Sequence, residues 1–332
     1  MSVSGDTGAI QQYGNPAIFV RIVGWSMLAM LAGFMINNAL EVGFGFPNIA
    51  QVMAGSGGAF GALPVAIYLI GIFLAIRYVL KSRDTALRWD AQKIHAANVY
   101  IIRGFFFAVL FIGFADVTVA FLRVEKILDA YISLASIRDL ERPSFVGTYI
   151  HIPLIILGFI VAAFTRTLGF MWLALLIVLA ELTIVVTRFV FSYEQAFMGD
   201  LVRYWYSALF LLASAYTLHD EGHVRVDVVY AGLRARTKGL INAYGAIFLG
   251  MSTSWVILLV GFNGKQSIIN SPVLNFEVTQ TGSIGMFVKY QMAAFLGIFG
   301  ATMLIQFVSM YFESVADYRN EPGHRAHEDV VQ

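Results

Sequence analysis

Long apolar segments alternate with short polar connections along most of the chain. Segments of roughly 16 to 26 residues are long enough to cross a hydrocarbon core about 30 Å thick, at about 1.5 Å per helical residue. Eight of them lie near residues 17–40, 62–80, 99–122, 149–165, 168–191, 200–219, 240–262 and 286–312. Only the surroundings of Arg166 separate the fourth from the fifth, so seven spans is the alternative count. The pattern predicts an all-α integral membrane protein with about eight transmembrane helices.

One polar stretch near the middle of the chain differs from the other connections. Residues 218–230 read LHDEGHVRVDVVY and hold two histidines, three acidic residues and an arginine. Apolar residues recur there at i, i+3, i+4 and i+7, which places them on one stripe of a helix. The stripe consists of Val226, Val229, Tyr230 and Leu233. The pattern predicts a short amphipathic helix that lies along the membrane surface.

The composition supports the membrane class and narrows the chemistry. Hydrophobic residues make up 58% of the 332 residues and charged residues 13%, whereas soluble domains average about 45 to 50% and about 25%. A formal net charge of +1 gives no reason to expect a nucleic-acid partner. The sequence has no cysteine and no HExxH or GxSxG motif. We therefore expect no catalytic residues, no metal site and no cofactor.

The distribution of lysine and arginine predicts the orientation, because cytoplasmic connections carry their excess. With eight spans, the second and sixth connections and the C-terminal tail fall on one side. Their cations are Arg77, Lys81, Arg83, Arg88, Lys93, Arg225, Arg234, Arg236, Lys238, Arg319 and Arg325. The first sixteen residues contain neither lysine nor arginine and predict a polar tail rather than a signal peptide. Both termini are expected in the cytoplasm, although the outer loop 123–148 also carries four cations.

From about Leu168 to Phe312 the chain resembles the small membrane subunit of the tripartite ATP-independent periplasmic (TRAP) transporters, the DctQ family. Three stretches carry the resemblance in the right order and spacing. They are TRFVFS at 187–192, HVRVDVVY at 223–230 and SPVLNFEVTQTGSIGMFVKY at 271–290. The sequence departs from the family after the first family helix, where Tyr193, Glu194 and Asp200 stand in place of a tryptophan and paired acids.

The resemblance implies a four-helix membrane protein that assembles with a much larger, DctM-like membrane subunit. That larger subunit would carry the substrate and sodium, and a periplasmic substrate-binding protein would deliver the substrate. The small subunit would act as a scaffold in contact with membrane lipids, in the bacterial inner membrane, and would hold no substrate site. We expect a partner-binding or scaffold motif at His223, Arg225, Val226, Asp227 and Tyr230. In it, Arg225 and Asp227 would fix the surface helix to the large subunit or to the sixth span through charge-assisted hydrogen bonds.

The resemblance also divides the chain. Residues 1–166 form an extra N-terminal membrane region of about four helices, as in a longer form of the small subunit. Residues 167–313 form the DctQ-like four-helix region, and residues 314–332 form a polar cytoplasmic tail. The extra helices contain no counterpart of HVRVD, so no internal repeat relates the two halves.

A charged residue inside a span costs about 2.5 to 3.5 kcal/mol at mid-membrane, and four such residues are candidates for a role: Arg103, Asp116, Glu181 and Arg188. Glu181 and Arg188 share one face of the fifth segment. A proton or ion path is one interpretation, and a buried structural pair is the favoured one. Asp116 lies near the outer end of the third segment and is expected to be neutralised by Arg123. Arg103, near the inner end, is expected to reach the interface with its long side chain.

The competing hypothesis is a small membrane anchor of a redox complex, similar to a cytochrome b subunit. Such a protein needs paired histidines on facing helices at membrane depth. Here His219 and His223, at i and i+4, form the one pair able to share a ligand, and a structural polar cluster explains them better. The favoured function is the small accessory subunit of a sodium-driven TRAP uptake system for an organic acid.

Overall fold

A computed structural model describes residues 10–166, 169–220, 230, 232–279 and 281–323. Among them are eight long helices, joined by short helices and turns. They are α1 (Ile18–Phe44), α2 (Ala62–Lys81), α3 (Leu87–Val124), α4 (Pro143–Phe164), α5 (Phe170–Val190), α6 (Ala196–His219), α7 (Ala235–Gly261) and α8 (Lys289–Tyr318). Each coincides with one predicted apolar segment, and the prediction of an all-α membrane protein is confirmed.

Seven of these eight helices in the described part of the chain are long and apolar enough to span a membrane. The exception is α6, which is 24 residues long but less apolar. Eight of its residues are buried, among them Asp200, Tyr204 and Trp205. A helix enclosed by protein does not need an apolar surface all round, because little of it meets lipid. The count of seven or eight spans therefore depends on α6, and not on Arg166 as the sequence suggested.

Helix α3 corrects the prediction for the second connection. It runs for 38 residues from Leu87, about 57 Å at 1.5 Å per residue, whereas the sequence predicted a start near residue 99. The polar residues of its first turns have protein partners, which is why they do not end the helix. Arg88 lies 2.6 Å from Asp317 and Asp90 lies 2.8 Å from Arg21. Only the short segment 82–86 connects α2 to α3.

Two long helices contain a stretch of π-helix. One spans Gly147–His151 in α4 and the other spans Ala246–Met251 in α7. A π-turn inserts an extra residue and rotates the side chains that follow, and such turns are frequent at functional sites. The turn in α4 ends at His151, whose side chain is fully buried.

Shorter helices lie in the connections. They are Ile49–Met53, Gly58–Phe60, Ile127–Ala130, Leu134–Leu140, Asn270–Leu274 and Gly282–Ile284. The helix Ile49–Met53 has a capping box, in which Asn48 and Gln51 each bind the backbone N–H of the other. The last of the short helices, Gly282–Ile284, belongs to the segment that leads into α8.

The described residues pack as two compact units. The first draws on Met1–Ala97, Glu221–Val256 and Met303–Gln332, and the second draws on Asn98–Asp220 and Ile257–Thr302. The division of the sequence at residues 166 and 313 concerns family resemblance rather than packing, and it stays a prediction.

In the first unit, side-chain contacts join α1 to α2 at both ends of the pair. Asn37 of α1 donates a hydrogen bond to the carbonyl of Pro64, 3.1 Å away, where α2 begins. At the other end, the Trp25 and Tyr78 rings meet edge to face at 4.8 Å. Leu31, Val79 and Leu87 of this unit are almost fully buried.

In the second unit, α3 and α4 approach backbone to backbone. A Cβ at Gly158 would stand 2.6 Å from the amide nitrogen of Ala108 and 2.8 Å from the carbonyl oxygen of Gly104. Only glycine allows that spacing, as at other close helix contacts in membranes. The tight pair leaves Asp116 and His151 facing the interior of the unit.

Candidate functional site

A carboxylate on α6 holds the segment that precedes α8. Asp200 is 1% exposed, and its Oδ2 accepts hydrogen bonds from the Thr279 hydroxyl at 3.0 Å, the Thr281 hydroxyl at 2.8 Å and the Met286 N–H at 3.1 Å. Hydrogen bonds to an ionised acceptor are roughly twice as strong as neutral ones. A Cβ at Gly285 would collide with this carboxylate and with Thr281. Asp200 therefore holds Thr279, Thr281 and Met286 in place.

A second carboxylate, from α3, grips the next residue of the same segment. Asp116 accepts a 2.7 Å hydrogen bond from the Phe287 N–H through Oδ2, and its Oδ1 lies 3.4 Å from Nε2 of His151. Both side chains are at most 1% exposed. Consecutive backbone amides, those of Met286 and Phe287, are thus bound by carboxylates from two different helices.

His151 connects this carboxylate to a chain of polar side chains at the start of α8. Its Nδ1 lies 2.8 Å from the Tyr290 hydroxyl and 3.0 Å from the Gln291 amide nitrogen. The Tyr204 hydroxyl donates to the Gln291 carbonyl oxygen at 2.5 Å. Because both neighbours of Nδ1 are donors, Nδ1 accepts and Nε2 carries the proton that faces Asp116. All members are buried and each has a partner, so the chain of contacts joins α3, α4, α6 and α8.

Arg123, at the end of α3, closes the same segment from the other side. Its guanidinium donates to the carbonyls of Ser283 at 2.8 Å, Gly285 at 2.6 Å and Leu140 at 3.2 Å. It also lies 4.2 Å from the centre of the Phe287 ring, a cation–π contact. Two carboxylates and one arginine therefore clamp residues 279 and 281–287, which we call the α8 entry segment.

The clamp has the properties of a structural device rather than a reaction centre. Asp116, His151 and Asp200 are at most 1% exposed, so solutes cannot reach them from the surface. Each of these side chains is bound to other groups of the protein, and a buried polar network of this kind makes a structure rigid and specific. The arrangement can hold four helices and the α8 entry segment in one geometry.

The first unit has a buried ion pair of its own. Arg21 of α1 lies 2.8 Å from Asp90 of α3, and neither side chain is exposed. Trp25 donates to Asp90 at 2.8 Å, and Arg21 also bonds the hydroxyl and the carbonyl of Ser82. Removing one partner of such a buried pair strongly destabilises the fold, because the other charge is left unpaired in the interior. It fixes the starts of α1 and α3 at one end of the unit.

The residues that follow α8 are bound to the same end. Glu321 accepts a 3.3 Å hydrogen bond from the Leu87 N–H, and Arg88 binds Asp317 and the Glu321 carbonyl. Burial raises the pKa of the Glu321 carboxyl, and the nearby Arg319 opposes that rise. The beginning of the predicted tail is thus packed against the start of α3.

Most of the predicted partner-binding motif lies outside the described residues, namely His223, Arg225, Val226 and Asp227. Tyr230 is described. Its hydroxyl accepts a 2.6 Å hydrogen bond from the Asn242 amide, and Lys238 lies 5.2 Å from its ring centre. These contacts tie Tyr230 to α7, the helix that follows the motif.

The interpretation of Glu181 and Arg188 as a buried pair is wrong. Glu181 is exposed on α5. Arg188 lies 3.8 Å from Glu194, and both of these side chains are more than half exposed. Seven residues along a helix separate two side chains by about 10 Å, which exceeds the reach of a direct ion pair. Glu181 therefore projects outward from a helix of membrane-spanning length.

Asp116 and Arg103 have direct contacts that the sequence did not predict, although Arg123 does interact electrostatically with Asp116. Asp116 binds Phe287 and faces His151, whereas Arg123, its predicted partner, binds backbone carbonyls. Arg103 does not simply extend to the interface, because it donates to the carbonyl of Thr165 at 2.7 Å. Cations near the C-terminal end of a helix satisfy its free carbonyls, as Arg103 does for α4.

Sequence reasoning missed the contributions of His151, Tyr290, Gln291 and the pair Arg21–Asp90. The available signal was polarity: each is a polar residue inside or beside an apolar segment, where an unpaired polar group is costly. The polarity of such a residue predicts that it has a hydrogen-bond or ion-pair partner. It does not identify that partner, because the partners lie 69 to 140 positions away in sequence.

The fold and its clamps define a multi-pass α-helical membrane protein whose buried charges hold helices together. The family of tripartite ATP-independent periplasmic transporters, DctQ component, matches residues 174–317. The matched region comprises most of α5 together with α6, α7 and nearly all of α8. No curated protein and no solved structure matches the chain.

The match confirms the resemblance predicted from the sequence. It contains four long helices, and it includes Asp200 and the α8 entry segment. Helices α1–α4 precede it and are the extra N-terminal helices. Asp116, His151 and Arg123 lie on these extra helices, so the clamp joins the family region to α3 and α4.

Proposed function

We propose that this chain is the small accessory membrane subunit of a TRAP system that takes up an organic acid, driven by sodium. The observation that carries the proposal is the family match over four helices, residues 174–317. In this function the chain works as a scaffold. A large DctM-like subunit carries the substrate across the inner membrane, and a periplasmic binding protein delivers it.

The contacts of the buried charges support a scaffold rather than a carrier. A substrate site for an anion at the bilayer midplane is typically built from broken helices related by an internal repeat. Here the side chains of Asp116, Asp200 and Arg123 instead bind backbone groups of the α8 entry segment, at 2.6 to 3.1 Å. Groups occupied in this way serve to hold the α8 entry segment.

The outward face of α5 is the best candidate for the surface that binds the large subunit. It exposes Leu175, Val178, Leu182 and Val185, and Glu181 lies among them. An unpaired acid facing lipid near mid-membrane costs about 2.5 to 3.5 kcal/mol on insertion scales. A hydrogen-bond donor or cation from a partner helix would remove that cost. Lipid alone would satisfy the four apolar residues but not the carboxylate.

Purification tests the proposed function against the redox alternative. The chain is co-expressed with a large subunit encoded beside it, and one of the two is tagged and purified in mild detergent. A TRAP small subunit should retain the large subunit through size-exclusion chromatography and show no haem or flavin absorbance. Recovery of the chain with a haem- or flavin-containing protein would contradict the proposal.

A further inference from the structure

An apolar groove lies in the first unit, between α1 and α3. Its volume is about 280 Å³, and its lining includes Trp25, Leu28, Leu31, Lys93, Ile94 and Ala97. Apart from Lys93 and the indole of Trp25, these side chains are purely hydrocarbon. A groove with so few polar groups suits a chain of methylenes better than a hydrated solute.

The groove has a polar end and an apolar end. The Arg21–Asp90 pair shows that α1 and α3 start at the same end of this unit. Lys93 lies about 9 Å along α3 from its first residue, and Leu31 lies about 20 Å along α1 from its own, at 1.5 Å per residue. The cation is therefore near the membrane surface and the hydrocarbon lining continues towards the interior. A phospholipid has the same order of groups along its length.

Among the described residues of the unit, Lys93 is a cation without a carboxylate partner. Its side chain is exposed, and its ammonium lies 5.6 Å from the centre of the Trp89 ring. The neighbouring carboxylate of Asp90 is taken by Arg21 and Trp25, at 2.8 Å each. No carboxylate of a described residue forms an ion pair with Lys93. A lysine placed in this way is a suitable donor to a phosphate group.

We propose that this groove binds one anionic glycerophospholipid, with an acyl chain along Leu28, Leu31 and Ala97 and the headgroup phosphate at Lys93. The charge of Lys93 selects the anionic headgroup, and the hydrocarbon lining holds the chain. The site is formed by α1 and α3, which belong to the extra N-terminal helices, and by Ile305 of α8. The proposal rests on the membrane-spanning fold and is independent of the transport function.

Native mass spectrometry of the purified chain tests the site. The protein is reconstituted in nanodiscs with equal amounts of phosphatidylglycerol and phosphatidylcholine, and the lipids that remain bound after release are counted. Wild-type protein should retain one phosphatidylglycerol in preference to phosphatidylcholine. Lys93→Gln should reduce that preference about fivefold, because one lysine near a membrane surface contributes about 1 kcal/mol towards an anionic lipid.

Two further variants separate the site from general lipid binding. Lys81→Gln removes an exposed lysine at the end of α2, outside the groove lining, and should keep the wild-type preference. Ala97→Phe fills the groove and should reduce retention of both lipids, with the thermal unfolding midpoint checked to confirm folding. Equal retention of the two lipids by wild-type protein, or equal losses in the two lysine variants, would overturn the proposal. A dimer without retained lipid would show that a second copy covers the groove and would overturn it too.

Discussion

Replacing Asp200 tests whether the clamp on the α8 entry segment stabilises the protein. Asp200→Ala removes the acceptor of three hydrogen bonds, from Thr279, Thr281 and the Met286 N–H, at a position 1% exposed. Leaving a buried donor unpaired costs about 1 to 3 kcal/mol. Losing the buried charge returns part of that cost. We therefore expect a net destabilisation of about 3 kcal/mol, rather than the sum of three full penalties.

The assay is thermal unfolding of the purified chain in mild detergent. At about 2 °C per kcal/mol, Asp200→Ala should lower the unfolding midpoint by about 6 °C. Asp200→Asn keeps a carbonyl oxygen in the same place and should lose about half as much. Arg203→Gln is the matched control. Arg203 lies 3.8 Å from Asp200 and is 73% exposed, and an ion pair made by a solvent-exposed cation contributes about 0 to 1 kcal/mol. A wild-type midpoint for Asp200→Ala, or an equal loss for Arg203→Gln, would refute the reasoning.

Three other predictions concern orientation and partner binding. In intact cells, a single cysteine at Arg236 should resist a membrane-impermeant thiol reagent and one at Gly57 should react, because cationic connections face the cytoplasm; the reverse labelling would invert the topology. Glu181→Gln should preserve co-purification of the large subunit better than Glu181→Leu, because glutamine keeps the hydrogen bond to a partner; normal assembly with abolished transport in the glutamine variant would instead indicate a coupling role. Alanine at Arg225 or Asp227 should reduce complex yield or uptake without preventing membrane insertion, and unchanged assembly and uptake in both variants would reduce the motif to a solvated surface.

The helices were predictable because their signal is local. A run of apolar residues has to be helical in lipid, where every backbone polar group needs an internal partner. The predicted start of α3 was wrong because charged residues such as Arg88 and Asp90 are typical of the connections between spans. Their partners, Asp317 and Arg21, are 229 and 69 positions away and turn them into interior residues of a helix bundle.

The clamp was predictable only in outline. Asp116 was singled out as a charge that needs a partner, and it has one. Arg123 was chosen because it lies seven residues after Asp116 on the same face of α3. In the structure, the direct contacts of Asp116 are with His151 from α4 and with the backbone of Phe287 before α8. Proximity along one helix is visible in a sequence. Contacts that depend on a π-turn and on the packing of four helices are not.

Reconstitution in liposomes tests most directly the claim that this chain is a scaffold and not a carrier. Under a sodium gradient, the chain alone should take up no organic acid above the background of empty liposomes. Together with its large subunit and a substrate-loaded binding protein, it should support uptake that depends on sodium. Saturable, sodium-dependent uptake by the chain alone would contradict the account.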